Sequence, residues 1–426
     1  MVAVLPWSFL AVSLVGAWFT FNGYRPRYAN RHLSVLSFFA GWLTTELALH
    51  HIAWQALVTG IFLWAGAVRG WPGIAGLAIT LGSWIGLARI YWRARETEDV
   101  VERALESGLG ADYRERILPE VRERLAPGVE WKQILLPVPV LHPEVERVRN
   151  VAYTRAGNRD LRLDVYRPRS HASGCPTLLY AHGGAWMVGS KNEQGLPLLI
   201  ELASHGWVCV SANYRLSPRA TFPDPLIDLK HAIQWIREHG AEYGANPDFI
   251  VVAGGSAGGH LAAMLALTQN DPEYQPGFER VDTSLRGCVA LYGVYDFTDR
   301  VGHWPHPGLR RLLERHVMKA SLDDARDAFE KASPMSRITD AAPPFFVVHG
   351  DCDTLVPVAE ARHFCKLFRT TAAAPLVYAE IPGAQHAFET LPSLRSGFVI
   401  HGIERFLAYL YSQYLTARST GVAAAS

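Results

Sequence analysis

The chain has 426 residues, with 41 Lys+Arg against 40 Asp+Glu and a formal net charge of +1. That length holds one large domain plus an extra segment, and the even charge excludes the strongly basic class of nucleic-acid binders. The five cysteines, at 175, 209, 288, 352 and 365, have no Cys-x-x-Cys spacing, so they read as free thiols rather than a disulfide frame.

Charged residues are 19% of the chain, below the roughly 25% of an average soluble domain. The shortage falls in residues 1–92. Val2 to Phe21 carries no charge and is long enough to span a hydrocarbon core of roughly 30 Å. It lacks a basic leader and a small-residue cleavage site, so it reads as a retained span. Leu33 to Val68 is too long for one span and is interrupted by Glu46, His50 and His51. It divides into an interfacial piece over Leu33–Gly41 and a span from about Thr45 to Val68. Gly73 to Trp92 is a further span, closed by Arg93 and Arg95. Tryptophans 7, 42, 54, 71 and 92 fit interfacial belts, and membrane lipids are expected partners.

Three spans put the Arg25–Arg31 loop and the Arg93/Arg95 end on one side. The positive-inside rule then sets the N-terminus outside and the large domain in the cytoplasm; a fourth span reverses this. Glu46 and His50 lie four apart on one helix face. An ionisable pair in a membrane is a functional candidate, but a pair that satisfies itself and joins spans is the simpler expectation.

Glu96 to Leu125 reads as an amphipathic helix with Val100, Val101, Leu105 and Leu109 on one face, lying on the domain or on the membrane surface. Pro127, Pro137, Pro139 and Pro143 mark an extended connector. An α/β rhythm begins near Glu146. Val148–Tyr153 and Leu161–Tyr166 form a hairpin around Gly157-Asn158. Strands follow at Pro176–Ala181, Trp207–Ala212, Phe249–Ala253, Arg286–Tyr292, Pro344–Val348 and Leu376–Ile381. Helices are expected over Leu196–Ser204, Pro225–His239, Gly259–Leu267, Ala359–Phe368 and Gly397–Tyr411. Such alternation implies a mostly parallel sheet with right-handed crossovers. The segment 295–335 breaks the rhythm and reads as a cap insertion. The expected organisation is a transmembrane region over 1–95, a helix and Pro-rich linker over 96–145, an α/β domain over 146–415 and a disordered tail over 416–426.

Four motifs carry chemistry. Gly254-Gly255-Ser256-Ala257-Gly258 stands between a buried strand and a helix, the context of a nucleophile elbow. His182-Gly183-Gly184-Ala185-Trp186 follows a strand, and its backbone N–H groups, with that of Ala257, are suited to an oxyanion. His349-Gly350-Asp351-Cys352-Asp353 ends another strand and supplies a carboxylate to orient a histidine; Asp353 is preferred and Asp351 is the fallback. His386 follows the last strand and completes the order Ser, Asp, His. His260 is expected to pack or cap locally, and His303 and His306 to be surface residues of the cap. No spacing suggests a metal site.

These motifs, together with Asn213-Tyr214-Arg215-Leu216-Ser217-Pro218 and His386-Ala387-Phe388, resemble the hormone-sensitive-lipase-like α/β-hydrolase esterases over about residues 146–415. The resemblance implies an α/β-hydrolase fold with an eight-stranded core, a cap, no metal or other cofactor, and hydrolysis of carboxylic esters. It implies Ser256 as nucleophile, Asp353 as acid partner and His386 as base. Oxyanion donors are then Gly184 and Ala257, with Gly183 or Ala185 adding a third, and Trp186 is a candidate substrate contact. His-Gly-Gly-Ala-Trp in place of His-Gly-Gly-Gly also resembles arylformamidases and isoprenylcysteine methylesterases, which leaves the leaving group open. The membrane segment points to an apolar or lipid-like ester. A non-catalytic receptor on the same scaffold is the remaining alternative, against which all three triad members stand.

Overall fold

The computed structural model describes residues 4–138 and 140–420. Its N-terminal part is α1 (Val4–Tyr24), α2 (Arg31–Glu46), α3 (Ala48–Trp64), α4 (Trp71–Ala94) and α5 (Glu96–Leu109). α1 and the run from α4 into α5 are each long and apolar enough to cross a membrane, and α2 with α3 adds a third crossing if the bent pair is one span. The packing is inside-out relative to a soluble bundle. Ser13, Gly16, Thr20 and Gly23 of α1 are buried, whereas Trp7, Val15, Trp64 and Ile85 are exposed. Small residues let backbones approach, and hydroxyls bond across the seam. Thr80 Oγ1 donates to Ser13 Oγ at 2.9 Å, and Thr20 Oγ1 and Ser83 Oγ share a bond of 2.7 Å. Trp7 meets Trp71 and the Tyr24 hydroxyl donates to Gly86 O, so α1 and α4 run parallel. Phe9 on Phe62 and Gly16 on Gln55 set α3 antiparallel to both.

This region differs from expectation in three places. A single helix, α2, replaces the interfacial piece over Leu33–Gly41, and at Leu47 the chain bends by 90° into α3. That break separates Glu46 from His50, and they do not pair. Glu46 Oε1 instead lies 3.0 Å from Arg395 Nη1, with both side chains essentially buried, and Glu46 Oε2 accepts from Ser393 Oγ at 2.7 Å. His50 Nε2 meets Leu135 O at 3.1 Å. The charged helix stops at Gly110, whose φ of 101° ends it well before Leu125. It lies on the α/β domain, one of the two places expected for it, because Val101 and Leu105 bury fully against the sheet and the last helix. A Cβ on Gly402 would stand 2.2 Å from Val101 Cγ1, so this glycine admits α5.

The strands are β1 (Val145–Ala156), β2 (Arg159–Pro168), β3 (Cys175–Ala181), β4 (Val208–Ala212), β5 (Ala245–Gly255), β6 (Cys288–Leu291), β7 (Phe345–Gly350) and β8 (Leu376–Ile381). They form one eight-stranded sheet in the order β1-β2-β4-β3-β5-β6-β7-β8. β1–β2 and β2–β4 are antiparallel and all later pairings are parallel. β3 is buried along its whole length, as a strand covered by helices on both faces must be. The order reverses at β3, with β4 on one side and β5 on the other, so their carboxyl ends open a crevice suited to a ligand. The cap contains the short helices Gly308–Leu312 and Arg326–Lys331. The last helix runs from Leu394 to Ser419, past the tail boundary expected at 416, because Tyr414 is buried against Phe249 and Arg418 lies over its ring. Val2, Ala3 and Pro139 of the expected span and linker, and residues 421–426 of the expected tail, lie outside the described residues.

Removing one partner of a buried ion pair leaves an uncompensated charge and costs about 3–5 kcal/mol. Glu46→Leu is therefore expected to lower the unfolding midpoint of the detergent-solubilised chain, and adding Arg395→Leu to restore part of it. A single variant that melts like the wild type contradicts this tie.

Candidate active site

β5 ends in Gly254-Gly255, and Ser256 turns back at φ 59° and ψ −122° to begin the helix Ala257–Leu267. A side chain in that region costs of order 1–3 kcal/mol, held only where the surroundings enforce it. Ser256 N–H donates to Leu291 O at 2.9 Å. A Cβ on Gly254 would lie 2.3 Å from Gly258 O, and one on Gly258 would lie 2.0 Å from Ala181 O. Strand and helix therefore pass each other only with glycine at both positions.

The loops after β7 and β8 bring the other two side chains to the same edge. His386 Nε2 is 2.8 Å from Ser256 Oγ, and His386 Nδ1 is 2.6 Å from Asp353 Oδ2. Tyr292 packs on the His386 ring, with centroids 4.6 Å apart. Asp353 Oδ1 accepts the N–H groups of Leu355 and Val356 at 2.8 and 2.9 Å, and His349 Nε2 lies 3.1 Å from Oδ2. Burial alone would raise the Asp353 carboxyl. The electrostatic attraction of the His386 imidazole and the hydrogen bonds from His349 and His386 outweigh it and hold the group well below the usual carboxylate range. Asp351 turns elsewhere, accepting Gly383 N–H at 2.6 Å and lying 3.8 Å from Arg93.

Two contributors were not singled out from the sequence. His349 supports Asp353 from beneath. Gln385 Oε1 accepts the N–H groups of Thr354 and His386 at 2.7 and 3.0 Å, which ties the two loops together. Their only signal in the sequence is position, His349 opening the acid motif and Gln385 directly preceding His386.

The loop after β3 sits against the elbow, since a Cβ on Gly183 would be 2.6 Å from Gly255 O and 3.1 Å from Ser256 Cβ. One expected donor needs correction. Gly183 N–H is committed to Gln194 Oε1 at 2.6 Å. The N–H groups of Gly184, Ala185 and Ala257 have no partner among the described residues, and that of Ala257 is the first of its helix. Trp186 borders the cleft, but its ring is buried: its Nε1–H donates to His260 Nδ1 at 3.2 Å. His260 Nε2–H donates onward to Ala332 O at 2.8 Å, and burial pushes this histidine down to about 3. The buried, neutral ring thus links the loop to the cap rather than capping locally. His306 also reaches the cleft, whose lining further includes Leu309 and Leu312 of the cap and Ser34 and Val35 of α2.

A mostly parallel sheet that delivers a serine, an aspartate and a histidine to one edge in that chain order is the α/β-hydrolase arrangement. The BD-FAE family model matches residues 163–368. The chain is 39% identical to the probable carboxylic ester hydrolase LipM of Mycobacterium tuberculosis, over 98% of this chain and 96% of that one. Esterase LipQ of the same organism is 38% identical over 80% of this chain and 82% of its own. Esterase 2 of Thermogutta terrifontis, solved phosphonylated by sarin, is 25% identical, with a TM-score of 0.51 over 68% of this chain and 99% of that one. The chain belongs to the hormone-sensitive-lipase-like α/β-hydrolase esterases, and it is a carboxylic ester hydrolase.

A carboxyl whose folded pKa is depressed adds stability above its unfolded value near pH 4 and loses it as the pH falls further. Between about pH 5 and pH 2, the wild type is expected to lose more stability than Asp353→Asn. Urea midpoints across that range check this, and parallel curves contradict it.

Proposed function

We propose that the chain is a membrane-anchored serine esterase in which Ser256 is the nucleophile, His386 the general base and Asp353 the carboxylate that orients the imidazole. The observation that carries this reading is the 2.8 Å contact of Ser256 Oγ with His386 Nε2 on a strained elbow beside unpartnered N–H groups. A hydroxyl is a poor nucleophile until a base takes its proton. With His386 Nδ1–H donated to Asp353, Nε2 carries the lone pair for that task. Ser256 Oγ adds to the ester carbonyl, and the oxyanion is stabilised by the N–H groups of Gly184, Ala185 and Ala257. The imidazolium protonates the leaving alkoxide, and the acyl group stays on Ser256. Water then attacks with His386 again as base, and the free acid leaves. The relative phosphonylated by sarin supports a nucleophile in this fold.

The helix directions support a cytoplasmic catalytic domain. α1 and α4 run parallel, so the Arg25, Arg27 and Arg31 segment and the Arg93 and Arg95 segment share a side, while the turn from α3 to α4 carries Arg69. The positive-inside rule then favours an outside N-terminus. An apolar acyl group suits a cleft lined by Val35, Val294, Leu309 and Leu312.

Ser256→Ala is expected to lower kcat/KM for p-nitrophenyl butyrate by about 10⁴-fold or more, as loss of a triad serine does elsewhere. A largely active variant overturns the reading. Matched ester and anilide substrates settle the leaving group, with ester turnover expected to dominate.

A further inference from the structure

We infer that α2 is a wall of the acyl site, and that carboxylic esters with long aliphatic acyl chains bind with the chain leaving the cleft along the exposed ridge of α2. The inference rests on the serine-esterase reading above.

α2 comes from the N-terminal helical region, yet it touches the acid loop, the base and the cap. Thr354, beside Asp353, donates through Oγ1 to Ser34 O at 2.9 Å. Ser34 Oγ and His306 Nε2 of the cap are 3.0 Å apart. Phe38 packs edge-on against the His386 ring, with centroids 5.9 Å apart. The Glu46–Arg395 pair fixes the far end of the helix. Ser34 and Val35 therefore line the cleft together with Leu309 and Leu312 of the adjoining cap.

The cleft encloses about 240 Å³, below the roughly 300–1,000 Å³ of sites that take up a whole ligand. A short acyl group fits inside it, and a long chain has to leave. α2 offers the way out. Ser34, Ser37, Phe38, Gly41 and Thr45 of this helix are buried, whereas Val35, Phe39 and Leu43 are 39%, 54% and 39% exposed. The last three recur every four residues and so form a single apolar ridge. Val35 belongs to both features, since it lines the cleft and heads the ridge. A chain that leaves at Val35 meets Phe39 and Leu43 and keeps its methylenes out of water.

The test uses the full-length enzyme in phosphatidylcholine nanodiscs with p-nitrophenyl acetate and decanoate. Val35→Trp narrows the exit, Phe39→Ser interrupts the ridge, and Leu57→Trp alters an exposed α3 residue outside the cleft. Acetate turnover reports that each variant is folded. Val35→Trp is expected to lower the decanoate-to-acetate ratio of kcat/KM by about tenfold or more, Phe39→Ser to lower it less, and Leu57→Trp to leave it unchanged. An unchanged ratio in Val35→Trp overturns the wall, and one unchanged in Phe39→Ser alone overturns the ridge. Ser256→Ala runs in the same assay. If it stays active, the esterase reading fails, while the ratios still decide whether α2 borders the site that acts.

Discussion

The backbone of Ser256, at φ 59° and ψ −122°, is the constraint around which the catalytic half of the molecule is arranged. An L-residue stays there only if every neighbour forbids relaxation. Leu291 at the end of β6 takes its N–H, and Gly254 and Gly258 let β5 and the following helix close to within a distance no Cβ tolerates. Ala181 at the end of β3 presses on Gly258, and Gly183 presses on Ser256 itself. Three adjacent parallel strands thus end on one turn. The loops that carry Gly184, Asp353 and His386 leave the same sheet edge, so proximity follows from topology rather than from any local attraction.

Most of this was legible in the sequence because its signals are local. Short apolar runs between Gly- and Pro-rich turns mark the strands, and the Gly-x-Ser-x-Gly pattern names its own context. The rest depends on partners far away along the chain. Ser34 and Thr354 are 320 residues apart, and Glu46 and Arg395 are 349 apart. No periodicity announces such pairs. The bend at Leu47 has no proline or glycine to mark it, so the second apolar stretch was divided in the wrong place. Gly183 shows the opposite limit. Its motif position suggested a donor, but Gln194, eleven residues on, takes the N–H.

The same long-range contacts change what the N-terminal helices are for. An anchor needs only apolar length, which α1 and α4 have. α2 has more: hydroxyl-bearing and small residues on one face, a buried carboxylate at its end and contacts to the acid loop, the base and the cap. Charge buried in a contact is costly unless paired, and here the pair joins the N-terminal helices to the last helix of the hydrolase. The helical region is therefore built into the α/β domain, with the Ser256 cleft at their junction.

The central claim is that Ser256 is the attacking atom. Mass spectrometry of the full-length protein, labelled in its native membrane with a fluorophosphonate, tests it most directly. The account predicts one covalent adduct, on the peptide that contains Ser256, which disappears in His386→Ala. An adduct on another serine, or none on an active enzyme, contradicts it.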